Sequence, residues 1–351
     1  ADAEADAPRQ CRMRFSSELS HVSAMLTYEQ YQLAMSILRK LSATNAAHDA
    51  DAAEAESDAA NAVAKPAPVP VAVPVWLDGE FSIDQVQLDL FDEHAKTPEL
   101  LRSSQLFQFK LNEMRVKVHQ APRQHLEAEL AIRSFTATDT RPSRETHFRE
   151  IVPAITHDGQ QLLLNYTQEA DGDALAIVTI DSPKLIFSLD PLFALVNFLA
   201  LPEVESPKAP AATVPSERKL SFRVNIVEPR IILLSAPERS DSQAIVLMLR
   251  QAVISQQAVL ALSMTRLGIF VWRMNAPKDR QRLLNDVDVS LTMDLKMTPT
   301  GQITSVQVSV DLLLVRVTRS DLMLLSTVVN KAIALSSTEK APVEAEAPAE
   351  A

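Results

Sequence analysis

The sequence is poor in the residues on which several protein classes depend. It contains one cysteine, Cys11, which excludes an internal disulfide framework and suits a reducing compartment. Its five glycines form no glycine-rich phosphate loop. No apolar run reaches the roughly 18 residues of a membrane-spanning helix. The first residues, ADAEADAPRQ, lack the apolar segment of a signal peptide and a starting methionine, so we expect a piece of a longer protein.

The net charge of −11 says little about partners. Twelve of the 45 acidic residues lie in three low-complexity stretches, at 2–6, 49–58 and 339–350, which leaves 33 acids against 34 Lys and Arg. The remaining sequence is therefore almost neutral. It contains no basic cluster of the kind that holds nucleic acid, so we expect no nucleic-acid partner.

Residues that carry catalysis or bind metals show no recognisable spacing. The sequence has no Gly-x-Ser-x-Gly elbow, no His-Glu-x-x-His motif and no catalytic context around its cysteine. Seven histidines are scattered without ligand spacing, at positions 21, 48, 94, 119, 125, 147 and 157. The sequence therefore predicts a protein that is not an enzyme and has neither a metal site nor a cofactor.

Strict alternation of apolar and polar residues is the strongest signal present. In NDVDVSLTMDLKM, Asn285 to Met297, every second residue from Val287 onward is apolar and the residues between are polar. Successive side chains of a strand point to opposite faces, so this stretch predicts a strand with one apolar and one polar face. ITSVQVSVDLLLVRV has the same period, and five such stretches follow one another from residue 218 onward.

The first half shows the same rhythm with a change of phase. Phe81 and Ile83 alternate, and Val86, Leu88 and Leu90 then alternate in the opposite phase. LFQFKLNEMRVKV repeats this change, which predicts a β-bulge in each strand. Three helices accompany the strands. Thr27 with Gln30 and Thr318 with Asp321 form capping boxes, and Asp190 before Pro191 is the expected N-cap of PLFALVNFLAL.

These elements predict a mainly β chain built of two successive antiparallel repeats of about five strands, with short crossing helices. We expect residues 1–44 to end a preceding repeat with the capped helix. A disordered Ala/Asp/Pro insertion is predicted at 45–75, a β repeat at 76–201, a linker at 202–217, a second repeat at 218–336, and a disordered acidic tail at 337–351.

Two architectures account for the apolar strand faces. The strand sets pack on each other as a closed β-sandwich or barrel, or they form an open curved sheet whose apolar face is a groove. Odd-numbered strand sets leave the chain on the far side of the sheet, and helices or linkers stand where it must cross back. The scarcity of glycine and of large aromatic residues also favours the open sheet. Neither observation decides between the two.

Three stretches carry a family resemblance: EPRIILLSAPERSDSQAIVLMLRQAVISQQAVLALSMTRLGIFVWRM (Glu228 to Met274), IDSPKLIFSLDPLFALVNFL and DLMLLSTVVNKAIAL. Together they resemble the middle of the vacuolar protein sorting thirteen (chorein-related) family of bridge-like lipid transfer proteins. The resemblance is looser in Phe81–Tyr166, where only the strand rhythm carries it. It implies repeating β-groove units joined into a trough, and phospholipid movement between organelle membranes at contact sites. It implies a cytoplasmic, peripheral protein whose adaptors cannot be named.

The apolar strand faces supply the candidate lipid-binding residues. They come from three strands: Phe222, Val224 and Ile226; Val287, Val289, Leu291, Met293 and Leu295; and Val306, Val308, Val310 and Leu312. Under the resemblance they are the wall of a lipid conduit with glycerophospholipids as partners. Under the other architecture they are ordinary core, and the chain is a scaffold that binds proteins.

Overall fold

The computed structural model describes residues 11–40, 75–92, 103–121, 125–142, 145–200, 220–257, 259–298 and 301–338. The predicted insertion, linker and tail lie almost entirely outside these residues. Fifteen strands run in chain order as β1 (Cys11–Thr27), β2 (Val75–Phe91), β3 (Gln105–Gln120), β4 (Leu126–Asp139), β5 (Glu150–Val152), β6 (Leu162–Gln168), β7 (Ala174–Asp181), β8 (Lys184–Phe187), β9 (Leu220–Val227), β10 (Arg230–Leu234), β11 (Gln243–Met248), β12 (Gln251–Gln256), β13 (Leu260–Arg273), β14 (Ala276–Thr298) and β15 (Gly301–Val310).

Three helices complete the described chain: α1 (28–40), α2 (Leu189–Leu199) and α3 (Arg319–Thr338). Both predicted capping boxes are present. The Thr27 backbone N–H donates to Gln30 Oε1 at 3.1 Å and the Gln30 N–H to Thr27 Oγ1 at 3.3 Å. Thr318 N–H donates to Asp321 Oδ2 at 2.8 Å. None of these helices is long and apolar enough to cross a membrane within the described residues.

The predicted N-cap of α2 is wrong. Ser188 is the N-cap and Asp190 lies in the first turn, buried, with its Oδ2 3.2 Å from Lys331 Nζ of α3. The carboxylate therefore serves a contact between two helices, which the order of residues along the chain does not reveal.

The strands form one open sheet. Its order is β1-β2-β3-β4-β6-β7-β9-β12-β13-β14-β15. Strand β11 pairs with the later part of β13, beyond the part that pairs with β12, and the sheet continues from β11 to β10 and β8. Strands contact mainly the strands beside them, and no second sheet lies against this one in the described part. The open sheet is confirmed, and the closed sandwich is wrong.

The direction of pairing changes where a helix intervenes. Within each strand set the neighbours are antiparallel, whereas β1 pairs with β2 and β7 with β9 in parallel. Helix α1 follows β1, and α2 lies between β8 and β9. A set of five antiparallel strands ends on the side opposite its start, so the chain must cross the sheet before beginning the next set. The parallel joints are the result of that crossing.

Four residues spread across the sheet, at or between strands, adopt a left-handed conformation. The φ angles are 50° at Glu113, 48° at Ser182, 47° at Glu228 and 52° at Arg266. We call this series across the sheet the kink line. The predicted phase change falls on it, but the register of β2 and β3 does not shift, since Ile83 pairs with Met114 and Gln85 with Asn112. In β3 the left-handed Glu113, and not an inserted residue, marks the change of phase, and the unshifted register with β2 means that the predicted bulge is wrong in form.

Among the described residues, helices cover the sheet on one side of the kink line only. Phe198 of α2 packs on Leu90 and Phe107, and Tyr28 and Tyr31 of α1 place their ring centroids 5.8 and 5.5 Å from the Phe198 ring. In the second strand set, Leu324 of α3 packs on Val271 and Leu283, with Ile245 and Ile269 beside them. These contacts form the helix-covered part of the sheet.

The reverse side of the second strand set carries its own small core. Ile186, Ile232, Val246 and Phe270 are buried there, with Phe148 from the segment between β4 and β5 packed against them. The segment is fixed because His147 N–H donates to Pro237 O at 3.0 Å. A loop of the first strand set thus packs onto the second.

Candidate functional site

On the other side of the kink line, paired residues of eleven strands form continuous rows. Residues that pair directly across neighbouring strands point to the same face, so the register defines each row. The row next to the kinks is apolar throughout: Leu19, Ile83, Met114, Ile132, Leu162, Ile180, Ile226, Ala252, Met264, Val289 and Val310.

Two further rows lie on the same face. The second is Ser17, Phe81, Val116, Leu130, Leu164, Val178, Val224, Ile254, Leu262, Leu291 and Val308. The third is Phe15, Gly79, Val118, Ala128, Tyr166, Ala176, Phe222, Gln256, Leu260, Met293 and Val306. We call the three rows together the apolar face. Its first two rows contain one polar residue, Ser17, and no titratable group.

The reverse of this face is polar. The alternating positions form a row of Ser16, Glu80, Lys117, Glu129, Asn165, Ile177, Arg223, Ser255, Ala261, Thr292 and Gln307. Exposed ion pairs cross it, with Lys117 Nζ 3.7 Å from Glu129 Oε1 and Arg115 Nε 3.9 Å from Glu80 Oε1. The two sides of the sheet therefore meet different environments.

The apolar face has no cover in the described part of the chain. Most of its side chains in the middle strands are half-buried, because they shield one another along the rows. At the β15 edge, Val306 is 56% exposed, Val308 58% and Val310 46%. Apolar residues in a closed core are almost fully buried, as Phe107 is under α2 at 0% exposure. The face is thus a partly exposed apolar surface, most open at its β15 edge, of the kind that marks a binding groove.

The structure brings most of the predicted lipid-binding residues together. Val289 pairs with Val310, Leu291 with Val308 and Met293 with Val306, while Phe222, Val224 and Ile226 lie in the same rows on β9. Leu295 pairs with Thr304, one step further along the strands. These placements put nine of the predicted positions on one face.

Two predicted residues lie elsewhere. Val287 is 2% exposed and pairs with Leu267 beside the kink line, so its side chain faces protein. Leu312 follows the end of β15 and is 77% exposed. The sequence pattern continued through both positions, but the kink at Arg266 and the end of pairing at Val310 interrupt the regular strand.

Sequence reasoning also missed half of the face. The first strand set supplies Phe81, Ile83, Met114, Val116 and Leu164, and the sequence analysis named none of them as candidates. Their alternation was visible, but the change of phase hid which residues share a face. Finding them requires the register between strands, which alternation within one strand does not determine.

Charged groups stand at the open end of the strands. His125, beside the start of β4, has Nε2 3.1 Å from Glu127 Oε1 and Nδ1 3.5 Å from Glu169 Oε2. The hydrogen bond to Glu127 is the main reason that the pKa of His125 is raised above its ordinary value of 6.5. Titratable groups therefore flank the apolar face at this end.

The chemistry available on the apolar face is that of hydrocarbon contact. Alkyl groups from Val, Leu, Ile and Met offer dispersion and removal of water, with no group placed to act as nucleophile or general base among the rows. Such a surface binds aliphatic chains of any type, because the free energy depends on the area covered and not on a specific contact.

Comparison with known proteins relates the chain to a lipid transfer protein. No protein-family model matches the chain. The intermembrane lipid transfer protein VPS13 of Chaetomium thermophilum is 29% identical over an alignment of 313 residues, which covers 74% of this chain and 10% of the relative. The chain therefore spans about a tenth of the length of the curated relative it matches.

Proposed function

Because this chain is a relative of an internal part of the VPS13 intermembrane lipid transfer protein, we propose that it is a non-catalytic segment of a lipid-transfer conduit. The apolar face is the wall of the conduit, and the acyl tails of glycerophospholipids lie against it. Lipids move along the rows from strand to strand while their head groups stay in water.

The continuity of the apolar rows carries this proposal. Eleven strands at about 4.8 Å spacing make a path roughly 48 Å long, with no charged residue in the first two rows. Each methylene group removed from water contributes about 0.8 kcal/mol, so a lipid tail of many methylenes binds without a specific contact. Equal binding at successive strands also leaves little barrier to movement along the rows.

Other parts of the proposal follow from the same geometry and the relative. Head groups in water meet no defined pocket on the apolar face, so selectivity among glycerophospholipids should be weak. We place the chain in the cytoplasm, peripheral at contact sites between organelle membranes. Membrane docking and adaptor binding belong to parts of a longer protein, and the repeat limits at 76–201 and 218–336 are part of the proposal.

Native mass spectrometry of the purified chain, followed by extraction in organic solvent, tests the proposal first. Several co-purifying phospholipids per chain are the expected result. A lipid-free, monodisperse chain would overturn it and favour a protein partner on the apolar face.

Acidic substitutions on two faces of the same strands separate lipid binding from folding. Changing Val289, Leu291, Val308 and Val310 to Asp should abolish lipid co-purification and block transfer, because charged carboxylates interrupt the rows. The matched control changes Ser290, Thr292, Gln307 and Ser309 to Asp on the reverse side of the same strands. Circular dichroism should show an intact sheet in both variants. Equal lipid loss in both would contradict the proposal.

A further inference from the structure

A cleft of about 440 Å³ on the second strand set concentrates positive charge. Its lining contains five arginines and two carboxylates, the arginines being Arg230, Arg250, Arg266, Arg280 and Arg282. The chain as a whole has more acidic than basic residues, so this is a local excess. Clefts in which charge of one sign predominates raise the local concentration of ions of the opposite sign.

The backbone places two of these arginines at the kink line. Arg266 has a φ of 52°, and its N–H donates to Asp288 Oδ1 at 2.7 Å. Arg250 N–H donates to Thr265 O at 3.0 Å, and Glu228 N–H to Arg250 O at 2.9 Å. Bends of three neighbouring strands are thereby tied together, which holds the two side chains beside each other at the rim of the cleft.

Two more arginines are positioned by an aromatic ring. The guanidinium carbons of Arg280 and Arg282 stand 5.6 and 5.0 Å from the centroid of Phe270. The ring lies close against Gly268, where an added Cβ would be 3.0 Å from Phe270 Cε2 and 3.1 Å from Asp286 Oδ1. Glycine at this position therefore allows the Phe270 ring, with the two arginines over it, to pack closely against the strand.

Most of this charge has no counter-ion in the part of the chain that the structure describes. Arg282 Nη1 is 3.2 Å from Asp286 Oδ1, whereas Arg230, Arg250, Arg266 and Arg280 form no ion pair among the described residues. The corresponding cleft of the first strand set is different. There Arg133 is paired with Glu113 at 3.5 Å and with Asp158 at 3.7 Å. An anion bound in the arginine cleft would supply the missing negative charge.

We propose that the arginine cleft binds a phosphate group, carried either by a small soluble anion or by a lipid head group. Arginine forks match the tetrahedral oxygens of phosphate and donate charge-assisted hydrogen bonds to them. The cleft lies beside Phe270, whose side chain alternates with the α3-contacting Ile269 and Val271, so it opens away from α3. This site is separate from the apolar face and does not depend on the proposed conduit.

The test measures binding of pyrophosphate to the full chain by calorimetry, at constant ionic strength maintained with chloride. We expect saturable binding that weakens roughly tenfold or more in the double variant Arg250→Gln, Arg266→Gln. The matched control is Arg115→Gln with Arg223→Gln, two exposed arginines outside the cleft, and it should bind as the original chain does. Neither variant breaks a buried contact, so both should keep the original circular dichroism spectrum.

A second arm distinguishes the source of the phosphate. Vesicles of phosphatidylcholine with and without phosphatidic acid are floated with each chain. Flotation that requires both phosphatidic acid and the cleft arginines identifies a lipid head group, whereas pyrophosphate binding without flotation identifies a soluble anion. Both results support the site. Absence of saturable binding in both arms, or equal weakening in the control variant, would overturn it.

Discussion

The strands of this protein are apolar on both sides of the kink line, yet the two sides have different surroundings. On β13, Val271 is 7% exposed under Leu324 of α3, whereas Leu262 and Met264 stay half-buried without a helix above them. The residue types are the same in both stretches. What distinguishes a core from an exposed apolar face is therefore the element placed over it, and the three described helices cover only part of the sheet.

The largest expected difference in stability loss lies between two phenylalanines on neighbouring strands, of which only Phe107 lies under a helix. Phe107→Ala removes a ring that is 0% exposed beneath α2, and should lower the free energy of unfolding by about 3–5 kcal/mol. Phe81→Ala, on the apolar face, should cost about 1–2 kcal/mol, because that ring is already partly in water. Urea denaturation measures both. Equal losses would mean that the apolar face is covered in solution.

The contact between the covering helices gives a smaller effect. Lys331→Met leaves the carboxylate of Asp190 buried without its cation, and should lower the free energy of unfolding by about 1–3 kcal/mol. Adding Asp190→Leu to that variant should recover most of the loss, since no buried charge remains. Thermal unfolding of the single and double variants measures this. Additive losses would show that the two side chains act independently.

The caps of the covering helices should contribute less again. Thr318→Ala removes the hydroxyl that accepts from Asp321 N–H at 3.4 Å, and should cost about 1 kcal/mol. Thr327→Ala in the middle of the same helix is the control. It should be neutral or slightly stabilising, because alanine favours helix. Chemical denaturation of both variants measures the difference in the free energy of unfolding. Equal effects would mean that the Thr318 cap does not stabilise the helix.

At the open end of the strands the expected effects are smallest, because water screens exposed charges. His125 should titrate in NMR with a pKa above 6.5, and Glu127→Gln should lower that pKa more than Glu169→Gln does. A raised pKa in the folded state means that this contribution to stability is present below pH 6.5 and is lost as pH rises through the folded pKa. An unchanged titration in Glu127→Gln would contradict the assignment of the cause.

Much of the fold could be predicted from the sequence because its signals are local. Alternation in 287–297 predicted β14 and its polar and apolar faces, and the two capping boxes predicted where α1 and α3 begin. The mainly β class and the repeated strand sets followed from counting such stretches. Each of these features depends on residues within a few positions of one another.

The rest depends on residues far apart in the chain. The buried role of Asp190 requires Lys331, 141 positions later, and the burial of Val287 requires the kink at Arg266 on the neighbouring strand. β14 also begins at Ala276, in a stretch where charged residues conceal the strand pattern. The extent of the apolar face required the register of eleven strands, which alternation within each strand does not determine.

The parallel joints have a consequence for how such a protein can change in length. Because β2 and β9 each enter the sheet beside a strand running in the same direction, a strand set with its helix can be duplicated or deleted as one module. Five strands at about 4.8 Å add roughly 24 Å, and the joint on either side is unchanged. Gene duplication could therefore change the length of the sheet in fixed steps, so that the number of modules sets the length of the molecule.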